Sequence, residues 1–173
     1  LVGFSLSPDP DDNYVATFDA KSICLAETSG KERFTRDLPM DYAACLALGS
    51  RDRLFAVGKL PRLQAWEVPS GRVLEETDLR PHHQNTVTAI AVSPDGLRLV
   101  TSDTDGRVHL WALHRDGTAV WLAELSTNAQ GDTPPLIAPQ PNASRSSIDE
   151  LVFLDAKRVV AVCKTESTNQ PGY

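Results

Sequence analysis

The segment from His83 to Trp111, HQNTVTAIAVSPDGLRLVTSDTDGRVHLW, constrains the fold more than any other part of the chain. Val87, Ala89 and Ala91 alternate with Thr88, Ile90 and Val92, so the first strand is apolar on both faces, as an inner strand packed between neighbours must be. Ser93-Pro94-Asp95-Gly96 supplies a turn, with proline setting φ and glycine accepting a positive φ. Leu97 to Ser102 is a second apolar, β-rich run, and Thr104-Asp105-Gly106 is a hairpin signal. Arg107-Val108-His109-Leu110-Trp111 then alternates, which predicts outward Arg107 and His109 against inward Val108 and Leu110. The segment therefore reads strand, turn, strand, turn, strand.

The same pattern recurs along the chain. Moved back 45 positions, the segment superposes Trp66 on Trp111, Leu63 on Val108, Leu54-Phe55 on Leu99-Val100 and Cys45-Leu46-Ala47 on Ile90-Ala91-Val92. A third copy matches Phe4 to Asp9, Tyr14 to Thr17 and Ser22 to Leu25, with Ala26 at the tryptophan position. A fourth begins near Leu151, where Leu-Val-Phe-Leu-Asp-Ala-Lys-Arg-Val-Val-Ala-Val reads as strand, turn and strand. A period of about 40–45 residues marks a repeat architecture of four-stranded units.

These residues resemble the WD40 β-propeller family over nearly the whole chain. The resemblance implies an all-β fold, a WD40-type β-propeller present as a partial arc of about three and a half four-stranded blades. The expected division is degenerate blades over 1–40 and 41–80, a well-formed blade over 81–124, a loop insertion over 125–147 and the start of a further blade over 148–173. In that family a histidine, a serine or threonine, an aspartate and the tryptophan tie a blade together through hydrogen bonds. Carried over by position, this structural tetrad looks like His83, Thr101, Asp105 and Trp111. His82 stands where the family usually has glycine, and Ala112 where an aspartate usually follows the tryptophan. A propeller arc buries its blades only against neighbours, so the chain is expected to be a fragment of a larger ring.

Composition agrees with a globular chain: 41% of residues are hydrophobic and 23% charged, and no apolar run is long enough for a membrane span. No charged-then-apolar leader opens the chain. Cys24, Cys45 and Cys163 fall in strands of different blades and have no metal spacing, which favours small core residues in a reducing, intracellular setting, cytoplasmic or nuclear. The net charge of −6 opposes general nucleic-acid binding. The basic group Arg51, Arg53, Lys59 and Arg62 reads first as a solvated face and second as a partner-binding patch, including RNA in an assembly. Asp9, Asp11 and Asp12 lack the ligand spacing of a calcium loop.

No catalytic constellation is present, and neither a metal nor a cofactor is expected. His82-His83 are adjacent on an extended segment and point apart, with no cysteine or carboxylate at ligand spacing. Asp95 and Asp103 read as turn residues at the rims, open to partners. Residues 125–147 hold four prolines and no aromatic residue, which predicts a surface loop or a partner-binding arm anchored by Leu136 and Ile137. The expected function is a non-enzymatic protein–protein interaction scaffold within a larger intracellular assembly. The alternatives are a regulatory or sensor propeller attached to a signalling or enzymatic domain, and a propeller subunit of an RNA-containing assembly.

Overall fold

Short apolar and β-branched runs broken by Gly, Pro, Asp and Ser cannot sustain a helical stripe, and among the described residues the chain forms strands and turns alone. The computed structural model describes residues 3–6, 14–19, 22–37, 43–49, 52–58, 60–125 and 148–163. Strands β1 (Gly3–Leu6), β2 (Tyr14–Phe18), β3 (Ser22–Glu27) and β4 (Glu32–Asp37) make one antiparallel sheet in chain order. A second contains β5 (Ala43–Gly49), β6 (Arg53–Gly58), β7 (Arg62–Glu67) and β8 (Thr77–Asp78). The third contains β9 (Val87–Val92), β10 (Arg98–Asp103), β11 (Val108–Leu113) and β12 (Ala119–Leu125), and β13 (Ile148–Phe153) pairs with β14 (Val159–Cys163).

Each sheet is a meander, and the sheets stack face to face with an apolar layer in every seam. Between the first and second sheets lie Ile23, Leu25 and Phe34 against Leu46, Leu48, Leu54, Trp66 and Val68. The next seam packs Phe55, Val57, Leu63 and Leu79 against Ile90, Val92, Leu99, Trp111 and Leu113. The last packs Ala89, Ala91, Val100 and Val108 against Ile148, Leu151 and Val159. Alternate residues of one inner strand thus serve two seams: in β5, Cys45 and Ala47 face one neighbour while Leu46 and Leu48 face the other. The sheets do not close into a ring among the described residues.

The structure corrects two sequence expectations about facing. Val87 packs with Ile90 and Val92 rather than with Ala89 and Ala91. The cause is a register shift at Ser102/Asp103, where Val87 pairs with Asp103 while Ala89 pairs with Ser102, leaving Thr88 as the extra residue. His109 does not point outward. It is 2% exposed and lies in the seam that holds Trp111.

The β11–β12 hairpin also packs against the second sheet. Gly117 turns the chain at φ 94°, and a Cβ there would lie 2.7 Å from Cβ of Leu74. Glu75 donates its N–H to the Asp116 carbonyl at 3.2 Å, and Ala119 donates to Thr77 Oγ1 at 2.9 Å. Leu125, expected to open the loop insertion, is the last residue of β12 and pairs with Val108. Leu136, Ile137, Arg51 and Lys59 lie outside the described residues. Among the described residues no helix is long and apolar enough to cross a membrane.

Candidate functional site

The densest polar cluster is buried in the third sheet, and its hydrogen bonds run in one direction. Trp111 Nε1 can only donate, and it gives its proton to Thr101 Oγ1 at 2.9 Å. Thr101 Oγ1 lies 2.6 Å from His83 Nε2, and His83 Nδ1 lies 2.9 Å from Asp103 Oδ2. A carboxylate can only accept, so His83 donates from Nδ1 and accepts the Thr101 hydroxyl at Nε2. Asp103 Oδ1 closes the chain by accepting the backbone N–H groups of Asp105 at 3.0 Å and Arg107 at 3.1 Å. Every donor in this hydrogen-bond chain finds an acceptor.

The aspartate of this chain is Asp103, not Asp105. Asp103 ends β10 and is 1% exposed, which also corrects its expected place as a rim turn residue. Asp105 sits at the hairpin tip two residues on, where it accepts from Asn85 Nδ2 at 2.8 Å. The other rim aspartate, Asp95, is half-buried and caps its own turn, accepting from Ser93 Oγ at 2.6 Å and Leu97 N at 3.0 Å.

Burial alone would raise the Asp103 carboxyl, but the His83 bond and the two backbone N–H groups outweigh it and hold it below the ordinary carboxylate value. His109 is held down at about 4, first by burial and then by the neighbouring His83. It is neutral near pH 7 and accepts the Trp121 indole N–H at Nδ1, 3.2 Å away. Its Nε2 is buried with no hydrogen-bond partner among the described residues. His82, which takes the place of a glycine, stacks on Trp121 with ring centroids 4.5 Å apart and planes 7° from parallel. Neither Trp121 nor this stack was singled out in the sequence, because a lone tryptophan in a peripheral strand carries no spacing signal.

His83, Asp103 and His109 bring one ligand atom each within 4.8 Å of the others. Both nitrogens of His83 and both oxygens of Asp103 are already engaged in the hydrogen-bond chain, so a metal there would have to break it. The arrangement fixes the hairpin and inner strands of one blade. It offers no nucleophile paired with an accessible base.

Of the basic residues expected to form a patch, Arg53 and Arg62 are among the described residues, and each is engaged elsewhere. Arg53 is 7% exposed, and its Nη1 donates to the His114 carbonyl across the seam between the second and third sheets. Arg62 pairs with Glu76 at 2.9 Å. Beside Arg53 a cleft of about 500 Å³ opens between the two sheets, lined by Asp52, Glu67, Arg72, Leu74 and Arg115. Arg72 and Arg115 were not read as site residues because they lie 19 and 62 positions beyond Arg53 in the chain.

Residues 75–112 match the family model described as WD domain, G-beta repeat. A comparison with curated proteins gives no match. The matched span covers β8, the outer strand of the second sheet, and then β9 to β11 of the third. The repeat therefore crosses a seam, and it contains all four residues of the hydrogen-bond chain. Residues 75–112 thus match a WD40 repeat, and the four-stranded antiparallel sheets are consistent with blades of a WD40-type propeller whose arc does not close among the described residues. Such repeats generally mediate protein–protein interactions.

Proposed function

From a WD40 repeat set in an open stack of blades, we propose that the chain is a non-enzymatic interaction scaffold working in a larger intracellular assembly. One contrast carries this reading. The outer strand β4 is guarded by Glu32, Arg33, Arg36 and Asp37, and β8 is only two residues long. The third outer strand, β12, is seven residues long and exposes Val120, Trp121 and Leu122. Trp121 is 39% exposed while its indole N–H is bonded to His109 and one face rests on His82. An aromatic side chain held in place but open to solvent costs little to immobilise on binding, which is what an interface anchor needs.

The polar chemistry supports the same reading by being used up in structure. The buried histidine and aspartate hold strands together, and the unpaired thiol of the buried Cys45 suits a reducing compartment. A propeller in an RNA-containing assembly finds less support, since Arg53 is buried and Arg62 is paired. The test is affinity capture of the tagged intact chain, followed by rebinding of the captured protein in purified form. Val120→Glu with Leu122→Glu is expected to abolish rebinding while leaving the melting temperature unchanged. Retained rebinding by a folded double variant, or no protein captured above background, overturns the reading.

A further inference from the structure

We propose that a bulge in the outer strand β12 is a docking site for an arginine side chain from a basic segment of a partner protein, which stacks on Trp121 and pairs with Glu124. The proposal rests on the scaffold reading and names the chemistry that β12 captures. Its basis is the register shift between Leu110 and Trp111. Trp121 pairs with Trp111 but Ala123 with Leu110, which leaves Leu122 as the extra residue. Residues three apart on a regular strand point to opposite faces. Across this bulge they do not: Trp121 opposite Trp111 and Glu124 opposite His109 share one face of the sheet.

Both side chains meet at His109. Trp121 donates its indole N–H to His109 Nδ1 at 3.2 Å. Glu124 is the register partner of His109, and its carboxylate is close enough to favour a proton there. Trp121 is 39% exposed, with His82 stacked on it at 4.5 Å between ring centroids. Its single donor is spent, so what it offers a partner is aromatic carbon. Glu124 is exposed and makes no hydrogen bond or ion pair among the described residues. The other carboxylate near His109, Asp103, is buried and already bonded to His83.

The chemistry selects a cation. An indole face is negative, as is the carboxylate on the same side of the sheet, so the pair attracts a positive group and repels an anion. With its N–H taken, Trp121 has no donor for a phosphate or a carbonyl oxygen. Arginine fits better than lysine, since a planar guanidinium lies flat on the ring while its fork of N–H donors reaches the carboxylate. The two positions sit about 7 Å apart, two strand rises, which one guanidinium and its stem can span. His82 and His109 hold the indole before binding, so little rotamer freedom is lost on capture. The net charge of −6 draws a basic segment towards the chain from a distance.

The experiment is an NMR titration of the isotope-labelled intact chain, read at the tryptophan indole N–H resonances. The probes are three blocked peptides, Ala-Arg-Ala, Ala-Lys-Ala and Ala-citrulline-Ala. The Trp121 resonance is expected to shift saturably with the arginine peptide, to need more of the lysine peptide, and to ignore citrulline, which keeps the shape but loses the charge. The Trp66 resonance, buried in the first seam, should not move. Glu124→Gln and His82→Gly should each weaken binding about twofold to fivefold, the first by removing the charge and the second by freeing the ring. Glu124 is exposed, so its variant keeps the fold whatever His82→Gly does. Glu150→Gln, on the far two-stranded sheet, removes an equal charge and should change nothing. No Trp121 shift, equal binding of the citrulline peptide, or binding indifferent to Glu124→Gln would each overturn the proposal. Such a failure leaves the scaffold reading standing, since capture through Val120 and Leu122 is read separately, and failed capture does not alter the titration.

Discussion

Asp103 Oδ2 lies 2.9 Å from His83 Nδ1, and this pairing sets the direction of every bond behind it. With His83 donating to the carboxylate, its Nε2 is placed to accept from Thr101, and Thr101 accepts from Trp111. Removing the carboxylate strands three donors at once: His83 Nδ1 and the backbone N–H groups of Asp105 and Arg107. Asp103→Ala is therefore expected to destabilise the chain by about 3 kcal/mol or more. Asp105→Ala removes only a surface bond to Asn85 and should stay within about 0.5 kcal/mol. Denaturant midpoints of the two variants decide which aspartate belongs to the buried chain.

Thr101 gives and takes through a single atom, its hydroxyl oxygen, in that network. Thr101→Val keeps the shape but orphans His83 Nε2 and Trp111 Nε1, for an expected loss of about 2–4 kcal/mol. Thr101→Ser keeps the hydroxyl and deletes a methyl, so about 1 kcal/mol is expected. Equal losses for the two variants would show that packing rather than the hydroxyl matters at this position.

The blade pattern was legible in the sequence because strand alternation and turn residues are local signals. Ser93 to Gly96 and Thr104 to Gly106 announced their turns, and the strands on either side formed as read. What failed was phase. The register shift opposite Ser102 and Asp103 moves Val87 to the other face, and no residue type in the segment announces the extra position. The choice of Asp105 over Asp103 failed for a related reason: two aspartates flank the same hairpin, and only the end of β10 decides which one turns inward. Arg53 looked like surface because arginine usually is, yet the His114 carbonyl that receives it lies 61 residues away in the chain.

Cys45 reports on opening of the seam between the second and third sheets. Burial pushes its thiol up to about 12, so almost no thiolate exists at pH 8 in the folded chain. Alkylation of Cys45, followed by peptide mapping, should therefore track global unfolding across a denaturant series. Half-buried Cys24 should react earlier. Labelling of Cys45 at the Cys24 rate in native buffer would mean that the seam opens locally.

Gly117 and Gly30 separate backbone strain from steric crowding. Both have positive φ, 94° and 90°, but only Gly117 meets neighbouring atoms, with Cβ of Leu74 at 2.7 Å and Cβ of Ala65 at 3.1 Å from an added Cβ. Gly30→Ala should cost about 1–2 kcal/mol through its dihedral alone. Gly117→Ala should cost about 2–4 kcal/mol, because the hairpin must also move off the second sheet. A thermal melt of each variant gives the comparison, and equal shifts would place the β11–β12 hairpin farther from Leu74 than described.

Acid should destabilise this chain in two separable steps. His109 titrates near 4 in the fold against an ordinary value of 6.5, so the unfolded chain takes up its proton first. Its contribution is complete above pH 6.5 and falls away as pH drops towards 4, by at most about 3 kcal/mol. Asp103 is held below its ordinary value of 3.8, so its contribution persists through that window and is lost only at lower pH, as the carboxylate takes a proton in the fold. His109→Asn offers an oxygen to the Trp121 N–H but has no proton to bind. It should flatten the stability curve between pH 6.5 and 4 while leaving the decline below pH 4 in place, as read by urea unfolding at each pH. A variant curve parallel to the parent over the upper window would assign that step to some group other than His109.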